Sequence, residues 1–127
     1  MPLTDDRSEL GRTTEGLAVW WLRVHGWSVL VRNGTIAGVE VDIVSRQRGV
    51  DALVEVKARR QLHAWLPRDL DYLLAPSQRR RLALAAVAWA ATRRARRQLV
   101  RVDLLEITWL GPWPRIRRHE DILRSEV

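Results

Sequence analysis

The stretch Val50–Arg60, with the sequence VDALVEVKARR, decides the fold. Its β-branched and aliphatic residues, bounded by polar turn residues, predict a mostly buried strand. Because residues two apart in a strand point the same way, Glu55 and Lys57 share one face. Val54 and Val56 share the other. A carboxylate and an ammonium side by side on a buried strand are costly unless they serve each other or a ligand, so both are candidate site residues.

Lysine is nearly absent from the chain, which makes Lys57 stand out. Lys and Arg together number 22, and 21 of these are arginine. Genome base composition is one explanation for the excess of arginine. The other is chemical, because a guanidinium cannot replace a compact point charge beside a metal-bound water.

Length and composition predict one globular domain over residues 1–127. The hydrophobic fraction of 46% excludes a disordered chain, and the absence of cysteine excludes disulfides, thiolate zinc sites and a cysteine nucleophile. The N-terminal MPLTDDRSEL has no apolar run of a signal peptide. Leu82–Ala91, the longest apolar run, has 10 residues against the roughly 20 of a membrane span, and predicts a buried helix. We expect a cytoplasmic protein with no membrane partner.

The positive charge is concentrated in the second half of the chain. Residues 1–57 carry 7 basic and 8 acidic groups, whereas residues 58–127 carry 15 and 7, which gives net charges of −1 and +8. Such a surface attracts polyanions, with nucleic acid as the first candidate and anionic membrane as the second. Solubility combined with an arginine-rich genome is the alternative explanation.

Periodicity and turn signals predict the order α-β-β-β-α-β, a mixed sheet flanked by helices. The predicted elements are a helix over 4–25 ended by Gly26, strands over 27–32, 40–45, 50–60 and 99–107, a helix over 78–97 capped by Ser77, and one edge strand in the tail. Asn33-Gly34 predicts a turn after the first strand. Residues 59–76 predict a long irregular segment that is functional or mobile.

The second and third strands should form an antiparallel hairpin that carries Asp42 opposite Glu55. The two residues are 13 positions apart, a spacing that the hairpin folds into cross-strand proximity. Strict alternation would put Glu40 and Asp42 on one face of the sheet. It would put Val41 and Ile43 on the other.

Asp42, Glu55 and Lys57 are the residue types needed to cleave a phosphodiester with a divalent ion. Hard oxygen ligands suit Mg²⁺ or Mn²⁺, and Mg²⁺ usually takes one or two carboxylates and keeps several waters. Lys57 would then position a metal-bound water or stabilise developing negative charge. The alternative is a structural ion pair between Glu55 and an arginine, with Asp42 on a wet edge.

The arrangement Asp42…Glu55-x-Lys57 after a helix that carries Glu15 resembles the PD-(D/E)xK, restriction-endonuclease-like superfamily. More closely, the chain resembles the YraN family of uncharacterised bacterial proteins, which is similar to archaeal Holliday-junction resolvases. The matching stretches are Gly11-Arg12-x-x-Glu15-x-x-Ala18, Leu22-x-x-x-Gly26-Trp27, Arg32-Asn33, Gly38–Val44, Leu53–Arg59, Arg81-Leu82 with Ala85-Ala86, and Arg101-Val102-Asp103.

The resemblance implies an αβββαβ nuclease-like core and a site built from four acidic residues and one lysine. Asp42, Glu55 and Glu15 would be metal ligands, and Lys57 the catalytic lysine. Glu40 would support the metal ligands from behind or form a salt bridge. The implied activity is Mg²⁺- or Mn²⁺-dependent hydrolysis of DNA, with branched or flapped DNA as the substrate and a homodimer as the assembly.

Three positions depart from the pattern of that family. Val39 separates Gly38 from Glu40 where the family usually has Gly next to Glu. Gln78 stands where a lysine is usual, and Ala58 where a threonine is usual. None of these changes removes an acidic residue of the site.

The remaining candidates are arginines, histidines and tryptophans. The arginines predicted to contact phosphates are Arg59, Arg60, Arg79, Arg80 and Arg81, followed by the cluster Arg93, Arg94, Arg96 and Arg97. The histidines His25, His63 and His119 lack metal-ligand spacing and are assigned to the surface. The tryptophans predicted to be core are Trp20, Trp21, Trp27 and Trp89, whereas Trp65, Trp109 and Trp113 are assigned to loops.

Two other functions stay open from the sequence. One is a non-catalytic nucleic-acid-binding module that keeps a nuclease fold. The other is a protein-interaction scaffold, dimeric through tryptophan-rich edges.

Overall fold

The computed structural model describes residues 6–60 and 73–123. Its elements are α1 (Asp6–Val24), β1 (Ser28–Ile36), β2 (Val39–Gln47), β3 (Val50–Arg60), α2 (Pro76–Ala90), a 3-10 turn (Arg93–Ala95), β4 (Leu99–Leu110) and β5 (Trp113–His119). Residues 61–72, with His63 and Trp65, lie outside the described residues, as does the side chain of Arg60.

The strands form one five-stranded mixed sheet in the order β1-β2-β3-β4-β5. β3 and β4 run parallel, from the pair Val50–Leu99 to the pair Arg60–Trp109, and the other neighbours are antiparallel. The parallel pair needs a crossover connection, which α2 supplies. The expected αβββαβ core is confirmed, and β5 is the predicted edge strand.

Each helix covers one face of the sheet with a separate apolar cluster. Ala18, Val19 and Leu22 of α1 pack with Trp27, Ile43, Ala52, Val54, Leu105 and Ile107. Leu82, Ala85 and Trp89 of α2 pack with Val41, Val44, Leu53, Val102 and Leu104. β3 contributes to both clusters, as expected for a strand buried on both faces.

The start of β3 is fixed by the fully buried Asp51. The Arg46 guanidinium donates to its two carboxylate oxygens at 2.7 and 2.9 Å, and the Trp89 indole donates to one of them at 2.8 Å. Asp51 therefore ties β2 and α2 to the central strand, and its charge has the partners that burial requires.

The predicted turn at Asn33-Gly34 is wrong, because β1 continues to Ile36. The chain reverses instead at Ala37-Gly38, where both residues have positive φ (52° and 78°). Asn33 takes the left-handed conformation (φ 49°) inside the strand, and a Cβ on Gly34 would lie 2.4 Å from Val31 Cγ1. The Asn-Gly pair thus lies inside β1, and strand pairing continues past it to Ile36–Val39.

The C-terminal end of α1 agrees with prediction, whereas both ends of α2 differ from it; the predicted start of α1 at residue 4 lies outside the described residues. Gly26 (φ 87°) ends α1, and the Trp27 N–H donates to Leu22 O at 2.9 Å, a Schellman arrangement. α2 begins at Pro76 rather than after Ser77 and ends at Ala90. Proline at the first helical position has a preset φ, which explains the earlier start.

Among the tryptophans, Trp27 and Trp89 are buried as predicted. Trp20 is 58% exposed, so its assignment to the core is wrong. Trp109 and Trp113 lie in β4 and β5 rather than in loops. Within residues 6–60 and 73–123, no helix combines the length and apolar character that crossing a membrane requires.

Candidate active site

The second and third strands separate at Asp42. The β2–β3 ladder runs from Gln47–Val50 to Ile43–Val54 and stops there. Beyond that pair, Val41 packs in the cluster under α2 whereas Ile43 packs in the cluster under α1. The expected alternation therefore fails at Asp42, since Val41 and Ile43 do not share a face.

The Asp42 carboxylate fills the gap between the two strands. Its Oδ2 accepts the backbone N–H of Val56 at 2.8 Å. A backbone N–H of β3 lies in the plane of the sheet, so the side chain turns sideways towards that strand. This brings Asp42 beside Glu55, and each carboxyl group influences the pKa of the other.

Glu55, Lys57 and Gln78 form a contact between β3 and α2. The side chain of Lys57 lies with Nζ 3.9 Å from Glu55 Oε1. The Gln78 amide donates from Nε2 to Glu55 Oε1 at 3.0 Å, and its Oε1 accepts Lys57 Nζ at 3.5 Å. Gln78 thus holds the carboxylate and the ammonium together from the first turn of α2.

Both carboxyl groups are pushed towards their protonated forms. Burial, followed by the charge of Asp42, raises the pKa of Glu55 to about 7, against the opposing effect of Lys57. Burial also raises the pKa of Asp42, although the Val56 N–H and the hydrogen bond with Glu55 oppose the rise. The site therefore holds more potential negative charge than its one lysine compensates.

Glu15 approaches Asp42 from α1, on the side of the sheet opposite to the contact of Glu55 and Lys57 with Gln78. Its charge contributes to the raised pKa of Asp42, and both residues line a cavity of about 540 Å³ with Gly11, Arg12, Thr14, Asn33, Val56 and Ala58. Glu15 Oε1 is buried and has no hydrogen-bond partner among the described residues. The neighbouring Thr14 hydroxyl accepts the Trp109 indole N–H at 3.1 Å, which anchors this part of α1 to β4.

These residues fit a hard divalent cation as an incomplete set of ligands. In the described part of the chain, no three carboxylate or imidazole side chains converge closely enough to form a finished metal site. Two adjacent carboxylates and a buried, unpartnered Glu15 oxygen nevertheless form the oxygen-rich surroundings that Mg²⁺ or Mn²⁺ prefers. Mg²⁺ usually keeps several waters, so two protein carboxylates suffice.

Comparison with known sequences identifies the family. The model of the uncharacterised protein family UPF0102 matches residues 14–107. This chain belongs to the UPF0102 family. The match confirms the resemblance to the YraN family, and it covers Glu15, Asp42, Glu55 and Lys57.

Individual UPF0102 proteins are similar over most of their length. A protein of Geobacter metallireducens is 35% identical over 107 residues, which is 84% of this chain and 85% of the relative. A protein of Paramagnetospirillum magneticum is 38% identical over 115 residues, covering 86% and 81% of the two chains. A protein of Leifsonia xyli is 32% identical over 107 residues, covering 84% and 86%.

The three departures of this UPF0102 member fall at different distances from the site. Gln78 takes part in it directly through Glu55 and Lys57. Ala58 lines the cavity beside Glu15. Val39 packs against the cluster under α2, at the start of β2. Val39 therefore contributes to the core rather than to the site.

Other predicted site residues lie further from the carboxylates or are already paired. Glu40 is exposed and makes no ion pair with any residue that the structure describes. Arg59 Nε lies 4.0 Å from Glu106 Oε2. Arg79 is 7% exposed, which argues against the predicted phosphate contact, whereas Arg80 and Arg81 are exposed on α2.

Sequence reasoning missed Asn33, Gln78 and the Thr14–Trp109 anchor. Asn33 was assigned to a turn but lines the cavity with Asp42. Gln78 was noted only as a departure from a family pattern, and no signal in the polar and basic first turns of α2 distinguishes it. No local signal could pair Thr14 with Trp109, which are 95 positions apart.

Proposed function

We propose that this protein is a metal-dependent endonuclease that hydrolyses DNA phosphodiesters. One observation carries the proposal: Asp42 fills the split between β2 and β3 beside Glu55, and Lys57 lies 3.9 Å from Glu55. A carboxylate pair with an adjacent ammonium can hold a divalent ion and stabilise the charge that develops during phosphodiester cleavage. A purely structural ion pair would not require a second buried carboxylate against the first.

The residues of the site take separate roles. Asp42 and Glu55 would hold a Mg²⁺ or Mn²⁺ ion, with Glu15 completing the acidic set from α1. When bound, such an ion neutralises phosphate charge and makes a coordinated water more acidic. Lys57 orients the attacking water and stabilises negative charge as it develops at the phosphate.

Two neighbouring groups keep this arrangement in place. The Val56 N–H fixes the rotamer of Asp42, and the Gln78 amide fixes Glu55 relative to Lys57. Such fixed partners reduce the reorganisation needed when substrate arrives. Gln78 is therefore a positioning residue in this proposal.

DNA is the substrate class that the charge distribution favours. The chain has a net charge of +7. Arg80 and Arg81 are exposed and lie two and three positions after Gln78, which touches both Glu55 and Lys57. Phosphate contacts beside the carboxylates would offset their repulsion of a polyanion. Branched or flapped DNA is proposed as the preferred form.

A cleavage assay tests the proposal. Linear duplex, single-stranded, flapped and four-way-junction DNA are incubated with Mg²⁺ or Mn²⁺ and wild-type protein, Glu55→Ala, Lys57→Ala or Arg115→Ala. Cleavage should require metal and should fall at least about 100-fold in the first two variants. Arg115→Ala, which removes an exposed arginine of β5, should cleave normally. Equal cleavage by Lys57→Ala and wild type would refute the catalytic assignment.

A non-catalytic nucleic-acid-binding module is the second candidate. It is favoured by the absence, among residues 6–60 and 73–123, of three metal-ligating side chains already in place. Salt-dependent DNA binding that needs no metal, with no cleavage of any substrate, would support it. Sedimentation in the same buffers tests the proposed homodimer.

A further inference from the structure

A second cavity lies at the C-terminal end of α1. It has a volume of about 380 Å³, within the range of small-molecule sites. Its aromatic lining is Trp21, His25 and Trp27, and its cationic lining is Arg48, Arg101 and Arg118. His25 directly follows α1 and is 10 positions from Glu15, which corresponds to about 15 Å along the helix axis. The two cavities are therefore separate sites.

His25 lines this cavity with its ring held in a fixed orientation. The His25 ring stacks on Trp21, with ring centroids 3.9 Å apart and an interplanar angle of 27°. His25 Nδ1 donates to Trp21 O at 2.7 Å, which fixes the orientation of the imidazole. His25 is exposed, so its second face is available to a planar ligand.

Two guanidinium groups are held against the third ring. The Arg118 and Arg101 guanidinium carbons lie 4.3 and 5.4 Å from the centre of the Trp27 ring. Both arginines donate to the fully buried Asp103, which also accepts the Asp121 N–H at 2.8 Å. The buried carboxylate thus fixes both cations at the cavity.

The charges at this cavity leave a positive excess. Arg101 and Arg118 share Asp103, and Glu120, with a 62% exposed side chain, lies 3.8 and 3.9 Å from them. Arg48 is the third cation at the cavity. Three guanidinium groups therefore face two carboxylates, and one of those carboxylates is largely solvated.

Arg48 is the cation without a protein partner. It is exposed and makes no hydrogen bond or ion pair with any residue in the described ranges. It lies in the β2–β3 turn with φ 44°, next to Gly49 with φ 81°. Such a turn favours asparagine or glycine, so a long basic side chain there is held in an unfavourable backbone conformation at the cavity rim.

We propose that this cavity binds one nucleotide unit, with the base against the aromatic residues and the phosphate at Arg48. A cationic ligand would be repelled by three guanidinium groups. A wholly apolar ligand would displace water from the guanidinium groups and would not replace the hydrogen bonds that the water makes. A planar base that carries a phosphate satisfies both the rings and the cations. Free nucleotides and single-stranded ends of nucleic acid share this chemistry.

A metal-free NMR titration tests this proposal independently of cleavage. Indole N–H shifts, assigned with Trp→Phe variants, are followed in EDTA with deoxyadenosine monophosphate, deoxyadenosine, inorganic phosphate and a 5′-phosphorylated single-stranded tetranucleotide. The Trp21 and Trp27 signals should move with the monophosphate. Arg48→Ala and His25→Ala should weaken its binding roughly 5- to 20-fold, and Arg115→Ala should leave it unchanged.

The outcomes separate the source of the ligand from the existence of the site. Equal affinity for the mononucleotide and the tetranucleotide supports a free-nucleotide site, whereas tighter binding of the tetranucleotide supports a site for single-stranded ends. Equal binding of deoxyadenosine or phosphate alone would overturn the proposal, as would unmoved Trp21 and Trp27 signals or Arg48→Ala binding like wild type. Because no metal is present, none of these results depends on Lys57 or on cleavage.

Discussion

Glu55 is buried, and both its burial and the charge of Asp42 favour its protonated form. Lys57 and the Gln78 amide offset part of this cost, yet the pKa of Glu55 remains raised to about 7. A buried acid in this condition destabilises the ionised protein unless a cation is supplied. The site thus links the stability of the fold to pH, and under the proposed function also to metal.

The pH dependence of stability is the first prediction. Glu55 ionises near pH 4.5 in the unfolded chain and near pH 7 in the folded protein. The free energy of unfolding should therefore be highest below pH 4.5 and fall as the pH rises to 7. The loss is on the order of 3 kcal/mol at this buried residue. Chemical unfolding in EDTA at about pH 5 and about pH 8 measures it. Glu55→Gln should lack this component, and an identical pH dependence in both proteins would contradict the assignment.

Metal binding should restore the stability that the protein loses when Glu55 ionises. An ion that binds the folded state alone stabilises it by mass action, so millimolar Mg²⁺ or Mn²⁺ should raise the Tm. The increase should be larger at about pH 8 than at about pH 5, because ligand carboxylates must be ionised. Asp42→Asn should abolish the increase, and Arg115→Ala should retain it. An equal increase in wild type and Asp42→Asn would place the metal elsewhere.

Gln78 tests whether the contact between α2 and β3 positions the site. Gln78→Ala should reduce the cleavage rate roughly 10-fold by releasing Glu55 and Lys57, while the Tm changes by only a few degrees. Gln78→Glu should be more harmful, because it adds a third carboxylate next to Glu55. Unchanged cleavage in both variants would remove Gln78 from the site.

At the scale of elements, β1 stays paired with β2 on both sides of Asn33, which lines the cavity with Asp42. The next residue, Gly34, lies close to Val31, where an added Cβ would lie 2.4 Å from Val31 Cγ1. In contrast, a Cβ on Gly16 in α1 would meet nothing within 4 Å. These glycines should therefore respond to substitution in opposite ways.

Gly34→Ala should destabilise the protein by about 1–3 kcal/mol, because the half-buried Val31 side chain must move. Gly16→Ala should stabilise it by about 0.5–1 kcal/mol, because alanine is the better helix former at an open position. Denaturant unfolding of both variants measures the two effects. Val31→Ala should remove most of the cost of Gly34→Ala in a double-mutant cycle, and simple additivity would contradict the steric explanation.

The elements with strong local patterns were predictable, and the site only in part. The β-branched run of β3 and the Gly26 helix stop are local signals, and both elements formed as expected. The split at Asp42 broke the alternation of Val41 and Ile43 because strand pairing ends there, which is a tertiary event. The contact of Gln78 with Glu55 spans 23 positions and depends on how α2 packs, so no periodicity predicts it.

At the scale of the whole molecule, two polar regions lie at different positions along α1. One is the cavity that Glu15 lines with Asp42, and the other is the guanidinium-lined cavity near His25. The chain as a whole has a net charge of +7. Binding of a polyanion should then depend strongly on salt, with an affinity set mainly by exposed arginines.

The salt dependence of DNA binding should identify which arginines contact phosphate. Replacing Arg80 and Arg81 together with alanine should weaken binding and reduce the slope of log K against log[salt] by about 2. Fluorescence anisotropy over a range of salt concentrations in EDTA measures the slope. Arg115→Ala should leave the slope unchanged. If Arg115→Ala lowered the slope as much per arginine as the double variant does, net charge alone would determine binding.

Crystallography with Mn²⁺ tests the central claim most directly. Crystals soaked in Mn²⁺ above pH 7, where Glu55 is ionised, should show one anomalous peak within coordination distance of the Asp42 and Glu55 carboxylates. Lys57 should lie beside that peak without binding it. A peak elsewhere, or none at a Mn²⁺ concentration that supports cleavage, would contradict the account.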